Sequence, residues 1–316
     1  MTGPESRGDA RAVVVGVDGS DAALRAVRWA AGEAVRRRTT LLLVHATSAT
    51  ALHAGPASAG LVVEDVGARV EQEARQILRV AHRAAEEVTV LDVGLRVDSE
   101  SPAIALRHAS RTAALLVLGA TGRGVVGTAL GSVTLTVASH AECPVVVVRG
   151  EDSAASDRPI VVGVDGGPQS DAALAHAFDA AAARGAPLTA VHVWSDNDTE
   201  RFHLRHYLEL TAWERMRDVE ERALAERLAG WSQRYPDVVV RRRIEHADPP
   251  RVLIEQSARA GLVVAATRGR GGFTGLLLGS TGLALIQRAG CPVMLVGPRD
   301  RTRTASSSGR GSVVDR

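Results

Sequence analysis

Residues 13–18 read VVVGVD and residues 160–165 read IVVGVD, so the chain contains the same aliphatic run ending in an aspartate twice. Other landmarks return in the same order, and they are GRG at 122–124 and 269–271, LGS at 130–132 and 278–280, and CPV at 143–145 and 291–293. The offset is 147 residues for the first landmark (13 to 160) and 148 for the last (143 to 291). A period of this length matches a whole domain and exceeds the repeat of a solenoid. The sequence therefore predicts two tandem domains.

The chain is long enough for two domains of ordinary size, each with its own core. We expect a disordered arm at 1–10, a first domain at 11–149, a linker at 150–158, a second domain at 159–297 and a disordered basic tail at 298–316. The arm, the linker and the tail are rich in small and polar residues, which bury too little apolar surface to fold.

Each copy alternates short aliphatic runs with longer segments of helical periodicity, a pattern that is typical of the α/β class. Hydrophobic residues make up 45% of the chain and aromatic residues only 3%, as expected for strands buried on both faces. The predicted strands are 12–17, 41–45, 88–97, 115–118 and 145–148 in the first copy and 160–164, 188–193, 238–245, 262–265 and 293–296 in the second. We expect two tandem doubly wound, Rossmann-like domains, each a five-stranded parallel sheet with helices on both faces.

The last strand of each copy is too apolar to lie at an open sheet edge. We therefore expect these two strands to cover each other, so that the domains form a pseudo-twofold pair within one chain. The sequence leaves open whether the chain also forms a homodimer, and it does not identify a protein partner.

The formal net charge of +2 and the sequence pI near 8.9 come from the tail, since five arginines and two aspartates follow Pro298. The rest of the chain is close to neutral, so a nucleic-acid surface is not predicted. The sequence has no apolar signal segment, and no apolar run approaches the roughly 20 residues that cross a bilayer. Cys143 and Cys291 form no CxxC pair, which is typical of a reduced compartment, and we expect buried thiols in a cytoplasmic protein.

A glycine-rich segment follows the fourth strand of each copy, GATGRGVVGTALGS at 119–132 and ATRGRGGFTGLLLGS at 266–280. Glycines let several backbone N–H groups converge, and the segment ends where a helix begins, so the pattern predicts a phosphate site. Ser132 and Ser280 lie at or near the helix N-cap and could cap the helix or contact phosphate. Arg123 and Arg270 could add charge there, although an exposed loop arginine is more often only solvated.

Asp18 and Asp165 end the first strand of each copy, at the edge where open α/β sheets bind ligands. A carboxylate at this place could accept hydrogen bonds from a ribose, help to hold Mg²⁺, or cap the next helix. The sequence leaves these three roles open.

Several other sites are not supported by the sequence. The chain contains no lysine, which excludes a Walker A loop, and the GxGxxG string at 122–127 follows the wrong strand for a dinucleotide fingerprint. His203, His206 and Glu209 have helical spacing but no fourth ligand, so we predict no metal site. There is no GxSxG elbow, and no catalytic residue is predicted. His45 and His192, at the end of strand two, are interpreted as core or boundary residues and not as acid–base catalysts.

The motifs VVVGVDGS, VHA or VHV, the GxxG loop, LGS and the closing HAECPVVVVR together resemble the universal stress protein family, in its tandem ATP-binding form of actinobacterial type. The resemblance covers nearly the whole chain apart from the arm and the tail. It implies an adenine-nucleotide site in each copy, with ATP as the ligand and Mg²⁺ as an optional companion. In this family the first-strand aspartate contacts the nucleoside, backbone after strand two contacts adenine, and the glycine loop holds phosphates.

Carried onto this chain, the resemblance implies a set of nucleotide-binding residues in each copy. They are Gly16, Val17, Asp18, Ala46, Gly119, Gly122, Arg123, Gly124, Gly131, Ser132 and Val133 in the first, and Gly163, Val164, Asp165, Val193, Ala266, Gly269, Arg270, Gly271, Gly279, Ser280 and Thr281 in the second.

Both copies depart from the family pattern G-x2-G-x9-G-[ST]. Eight residues, one fewer than usual, separate Gly122 from Gly131, whereas in the second copy the spacing is kept and Ala266 replaces the first glycine. We expect a regulatory stress-response protein without enzymatic activity beyond weak ATP hydrolysis. The alternatives are a slow ATPase or nucleotidyl transferase, and an interaction module that binds no nucleotide.

Overall fold

The computed structural model describes residues 12–48, 63–90, 92–122, 130–149, 158–194, 210–269 and 278–300. These residues group into two compact units, and the main division of the chain falls between Val146 and Val147. Each unit is an α/β domain with a parallel sheet, so the predicted fold class is confirmed.

Among its described residues the first domain contains five strands and four helices. They are β1 Val13–Gly16, α1 Asp21–Arg37, β2 Leu41–Ala46, α2 Val63–Glu86, β3 Val93–Asp98, α3 Pro102–Ala109, β4 Leu115–Gly119, α4 Ser132–His140 and β5 Val145–Val148. The strand order is β3-β2-β1-β4-β5, and β1 pairs in parallel with both β2 and β4.

The second domain repeats this arrangement. Its described elements are β6 Ile160–Val164, α5 Pro168–Arg184, β7 Leu188–Trp194, α6 Leu210–Arg234, β8 Val240–His246, α7 Pro249–Ser257, β9 Leu262–Ala266, α8 Ser280–Arg288 and β10 Val293–Val296. The strand order is β10-β9-β6-β7-β8, with β6 between β7 and β9 as β1 is between β2 and β4.

The central strands are the most deeply buried elements, as their unbroken aliphatic sequence predicts. Val13, Val15, Leu115 and Val117 have no exposed surface in the first domain, and the corresponding strands of the second are equally buried. Helix α1 contacts α2, and α3 contacts α4. From β1 the chain moves outwards through β2 to β3, and it then returns past β1 to β4 and β5, in the opposite direction across the sheet. Because right-handed crossovers in opposite directions put their helices on opposite faces, the α1–α2 pair and the α3–α4 pair cover opposite faces.

Three strand starts differ from the predicted ones: β1 begins one residue late, at Val13, and the edge strands β3 and β8 begin later still. Strand β3 begins at Val93 instead of residue 88, because the chain after α2 first makes a turn in which Val88 N–H donates to Ala85 O. Val90 is fully exposed, so the apolar alternation at 88–90 is not that of a strand with one face in the core. Strand β8 likewise begins at Val240, after a turn closed by Val238 N–H.

The strand order places a crevice at the centre of each sheet. The chain leaves β1 towards β2 and β3 and then returns to β4 on the other side of β1, so the direction of winding reverses there. At such a point the loops after the two strands separate, and ligands bind at the carboxyl ends. Asp18 follows β1 and the start of the glycine-rich segment follows β4, so these residues lie at this crevice. No helix among the described residues is both long and apolar enough to cross a membrane.

Candidate functional site

Asp18 organises the turn between β1 and α1. Its Oδ1 accepts hydrogen bonds from Ser20 N at 2.9 Å and from Ser20 Oγ at 2.6 Å. Ser20 is the N-cap of α1, and its Oγ accepts from Ala23 N at 3.2 Å. The turn also requires Gly19, whose φ is +84°. The helix-cap alternative for Asp18 is therefore wrong, because the cap is Ser20 and Asp18 holds the cap residue in place.

Asp165 organises the turn between β6 and α5 in the second domain, through hydrogen bonds to different residues. Its Oδ1 accepts from Gly167 N at 2.8 Å and from the Ser170 hydroxyl, while Gly166 has a φ of +77°. Arg227 of α6 supports this turn, since its guanidinium donates to Gly166 O. In both domains one carboxylate oxygen thus fixes the turn at the crevice.

The backbone carbonyl of the residue before each aspartate is hydrogen-bonded to a histidine ring. His45 Nδ1 lies 2.7 Å from Val17 O, and His192 Nδ1 lies 2.7 Å from Val164 O. Because a carbonyl oxygen only accepts, Nδ1 carries the proton in both rings. His192 Nε2 also lies 3.1 Å from Glu220 Oε2. The two histidines join the ends of neighbouring strands, where His192 is buried and His45 is partly exposed.

The start of the first glycine-rich loop is packed too closely for a side chain. A Cβ at Gly119 would lie 2.7 Å from the backbone carbon of Ala22, and one at Gly122 would lie 3.1 Å from Asp18 Oδ2. The start of the loop therefore lies directly against α1 and the Asp18 carboxylate.

The two ends of this loop are joined by hydrogen bonds. Gly131 N–H donates to Ala120 O at 3.1 Å, and Thr134 Oγ1 donates to Gly119 O at 3.0 Å. The sequence motif did not indicate Thr134, which is buried in the first turn of α4. The structure therefore brings Asp18, Gly122 and Gly131 together at one point.

The second domain closes its loop in the same way. Gly279 N–H donates to Thr267 O at 2.7 Å, and a Cβ at Gly269 would lie 3.0 Å from Asp165 Oδ2. Ala266 replaces Gly119 at the end of the strand, and Gly282 replaces the buried Thr134. The site keeps its outline although these contacts differ.

Ser132 and Ser280 are the first residues of α4 and α8, not their N-caps. The N-caps are Gly131 and Gly279, both with extended backbone and without a side-chain cap bond. Val133 and Thr281 follow in the first turn, where helix N–H groups lack intrahelical partners. The two serine hydroxyls therefore do not cap these helices, and each helix presents its N-terminus at the end of the glycine loop.

The remaining predicted residues have other positions. Gly16 and Gly163 lie inside the first strands, where a Cβ would lie 2.8 Å from Leu118 and 3.0 Å from Leu253, so they permit close packing. Ala46 and Val193 lie at the carboxyl ends of β2 and β7, beside the aspartate-bearing strands. Four predicted residues fall outside the described residues, and these are Arg123, Gly124, Arg270 and Gly271.

The cysteines are unsuited to chemistry at neutral pH. Both thiols are free and buried. Burial raises the pKa of Cys291 to about 12, and it raises the pKa of Cys143 as well. Both stay protonated, so neither is a good nucleophile or metal ligand. Within the described ranges no three His, Cys, Asp or Glu side chains cluster as a metal site, and His203, His206 and Glu209 lie outside those ranges.

Comparisons with known proteins agree with this architecture. A model of the universal stress protein family matches residues 10–149 and 158–297. A universal stress protein of Mycolicibacterium smegmatis is 41% identical over 293 residues, which cover 91% of this chain and 97% of that protein. One of Mycobacterium tuberculosis is 40% identical over 291 residues, covering 90% and 96%. The crystal structure of a universal stress protein from Archaeoglobus fulgidus aligns with a TM-score of 0.64 over 91% of this chain and 96% of that chain, and at 18% identity it supports the fold alone.

Proposed function

Because this chain belongs to the universal stress protein family and carries two tandem family domains, we propose that it binds an adenine nucleotide in each domain. In this proposal the bound nucleotide, ATP in the first instance, sets the conformation or the partner choice of a cytoplasmic stress-response protein. The protein then acts as a regulator and not as an enzyme.

One observation carries the proposal. At the crevice of each domain a carboxylate, a glycine loop closed on itself and a helix N-terminus meet, and Gly122 and Gly269 lie against Asp18 and Asp165. A helix N-terminus with converging backbone N–H groups stabilises phosphate oxygens, and a carboxylate accepts hydrogen bonds from ribose hydroxyls. The two kinds of group that a nucleotide needs are thus side by side.

The residues divide between the parts of the ligand. Asp18 and Asp165 would accept from the ribose, and the backbone at Ala46 and Val193 would meet the adenine. The phosphates would lie over the glycine loops and the first turns of α4 and α8, where Ser132 and Ser280 can donate. Mg²⁺ would be held mainly by the phosphates, because Asp18 Oδ1 and Asp165 Oδ1 already accept two donors each.

A regulatory role agrees with the composition of the sequence. The chain contains no lysine, so it lacks the cation that a P-loop enzyme places on the transferred phosphate. The His45 and His192 rings each bind a backbone carbonyl through Nδ1, which is a structural role and not that of a base beside the loop.

Thermal and chemical unfolding of the full chain with and without ATP tests the proposal. At an ATP concentration of 100 times Kd, binding should stabilise the native state by about 2.7 kcal/mol. The double variant Asp18→Asn with Asp165→Asn keeps an acceptor for each turn but loses the charge, so the ATP-dependent shift should disappear. Asp92→Asn, at an exposed position, is the matched control.

Two results would contradict this function. If millimolar ATP leaves the unfolding transition unchanged and the purified protein carries no nucleotide, the chain is an interaction module. If ADP, AMP or pyrophosphate is released at about 1 s⁻¹ or faster, the rate is that of an ordinary enzyme and the regulatory assignment fails.

A further inference from the structure

The second site differs from the first in three residues that each carry a buried polar side-chain atom without a hydrogen-bond partner. Among the described residues, five buried polar side-chain atoms have no hydrogen-bond partner, and three of them belong to residues of the segments that follow β6 and β9 in the second domain. They are Gln169 Oε1 in the first turn of α5, and Thr267 Oγ1 and Arg268 Nε in the loop after β9. Buried polar groups are nearly always paired, so such a cluster indicates a place where a ligand supplies the partners.

The first domain has smaller residues at the corresponding positions. Counting from the aspartates and from the first loop glycines, Gln169 corresponds to Ala22, Thr267 to Ala120 and Arg268 to Thr121. Thus the first site has two alanines and a threonine where the second has an amide, a hydroxyl and a guanidinium. The duplication supplies an internal comparison in which the fold is constant and these three groups are among the differences at the site.

The position of Arg268 is fixed by its neighbours on both sides. Thr267 O accepts from Gly279 N–H, the N-cap of α8, and Gly269 lies against the Asp165 carboxylate. Arg268 therefore lies between the helix N-terminus and the aspartate. Arg268 Nε is buried without a hydrogen-bond partner, and the residue as a whole is partly buried.

The chemistry of these groups fits a polyphosphate. A guanidinium is charged at any physiological pH and donates in a planar fork that matches phosphate oxygens. The Thr267 hydroxyl can donate, and the Gln169 amide presents N–H groups after a half-turn about its last bond. Partial burial reduces screening by salt, so each additional phosphate charge is felt more strongly here than at an exposed arginine.

We propose that the second-domain site selects nucleotides by phosphate number through Arg268, assisted by Thr267 and Gln169, and prefers nucleoside triphosphates to monophosphates more strongly than the first-domain site does. This inference rests on the proposed function, since it assumes that both crevices take a nucleotide. The two domains would then differ in selectivity. The second-domain site would bind mainly the triphosphate, and the affinity of the first-domain site would depend less on the number of phosphates.

Calorimetric titration of the full chain with ATP and with AMP tests this inference. In an Asp18→Asn background, which isolates the second site, Arg268→Thr should weaken ATP binding about tenfold or more through the loss of charge-assisted hydrogen bonds, while AMP binding changes less than about threefold. Arg241→Thr, on the exposed face of β8, removes the same charge elsewhere in the domain and should change neither affinity.

The reciprocal exchange keeps the test decisive if Arg268→Thr does not fold. In an Asp165→Asn background, Thr121→Arg should raise the ratio of ATP to AMP affinity at the first site. Equal losses of ATP and AMP binding in Arg268→Thr, or an unchanged ratio in Thr121→Arg, would overturn the selectivity while nucleotide binding itself stands. If the parent chain binds neither nucleotide, the proposed function fails and the selectivity with it.

Discussion

At the scale of single residues, Gly119 is required by the backbone that faces it. A Cβ would lie 2.7 Å from the backbone carbon of Ala22 and 2.8 Å from its oxygen, and backbone cannot rotate away as a side chain can. Gly119→Ala should therefore force α1 away from β4 and reduce the free energy of unfolding by about 1 to 3 kcal/mol. Urea unfolding measures this change.

A glycine in open space provides the control for that substitution. Gly67 lies in α2 and a Cβ there meets nothing within 4 Å, so Gly67→Ala should stabilise the protein by up to about 1 kcal/mol. If Gly119→Ala were as harmless as Gly67→Ala, the close approach of α1 to the loop would not be a property of the protein in solution.

Sequence motifs identified the site residues whose type is dictated by the backbone or by charge. Gly122 and Asp18 belong to this class, since each stands in a short pattern that recurs in both copies, and Gly119 belongs to it through the GxxG pattern of the first copy. Thr134 and Gln169 were missed, because a threonine or a glutamine in the first turn of a helix is common and carries no pattern. Only the three-dimensional structure shows what distinguishes them. Thr134 donates a hydrogen bond to Gly119 O, and Gln169 has a buried Oε1 without a hydrogen-bond partner.

At the scale of secondary-structure elements, α6 is tied to the second site by Arg227. Its guanidinium donates to Gly166 O and lies 3.4 Å from Gly167 O and 3.3 Å from Asp171 Oδ1. Arg227→Met should therefore loosen the turn after β6, costing about 1 kcal/mol and weakening nucleotide binding in the second domain. Hydrogen exchange at the Gly166 and Gly167 amides reports the loosening directly.

An exposed arginine on the same helix is the matched control. Arg217→Met removes a charge from α6 at a solvent-exposed position and should leave exchange at this turn unchanged. Equal protection of the Gly166 and Gly167 amides in the parent and in Arg227→Met would show that α6 does not support the site.

Buried elements were predicted more accurately than edge elements. Strands β5, β6 and β10 have the predicted bounds, because their residues are apolar on both faces and no other structure buries them as well. The edge strands β3 and β8 begin five and two residues later than predicted. Their starts were predicted only from the alternation of apolar and polar residues. Near the edge of a sheet an apolar residue such as Val90 can be exposed to solvent, so this alternation does not fix where the strand begins.

At the scale of the whole molecule, the duplication explains most of what the sequence could predict. Two copies that preserve the aspartate, the glycine loop and the closing strand predicted two α/β domains with a crevice in each. The mutual covering of the two last strands stays a prediction, since it depends on surfaces that neither copy defines alone. The differences between the copies, from Ala22 and Gln169 to Thr121 and Arg268, acquire meaning only once the structure places them at equivalent points.

The stoichiometry of nucleotide binding tests the central claim that each domain holds one site. Native mass spectrometry of the full chain titrated with ATP should show two nucleotides bound per chain at saturation. Asp18→Asn and Asp165→Asn should each reduce this number to one, and Asp92→Asn should leave it at two. Two results would contradict this claim. One is a parent chain that binds no ATP, and the other is a parent chain that binds a single ATP which neither Asp18→Asn nor Asp165→Asn retains.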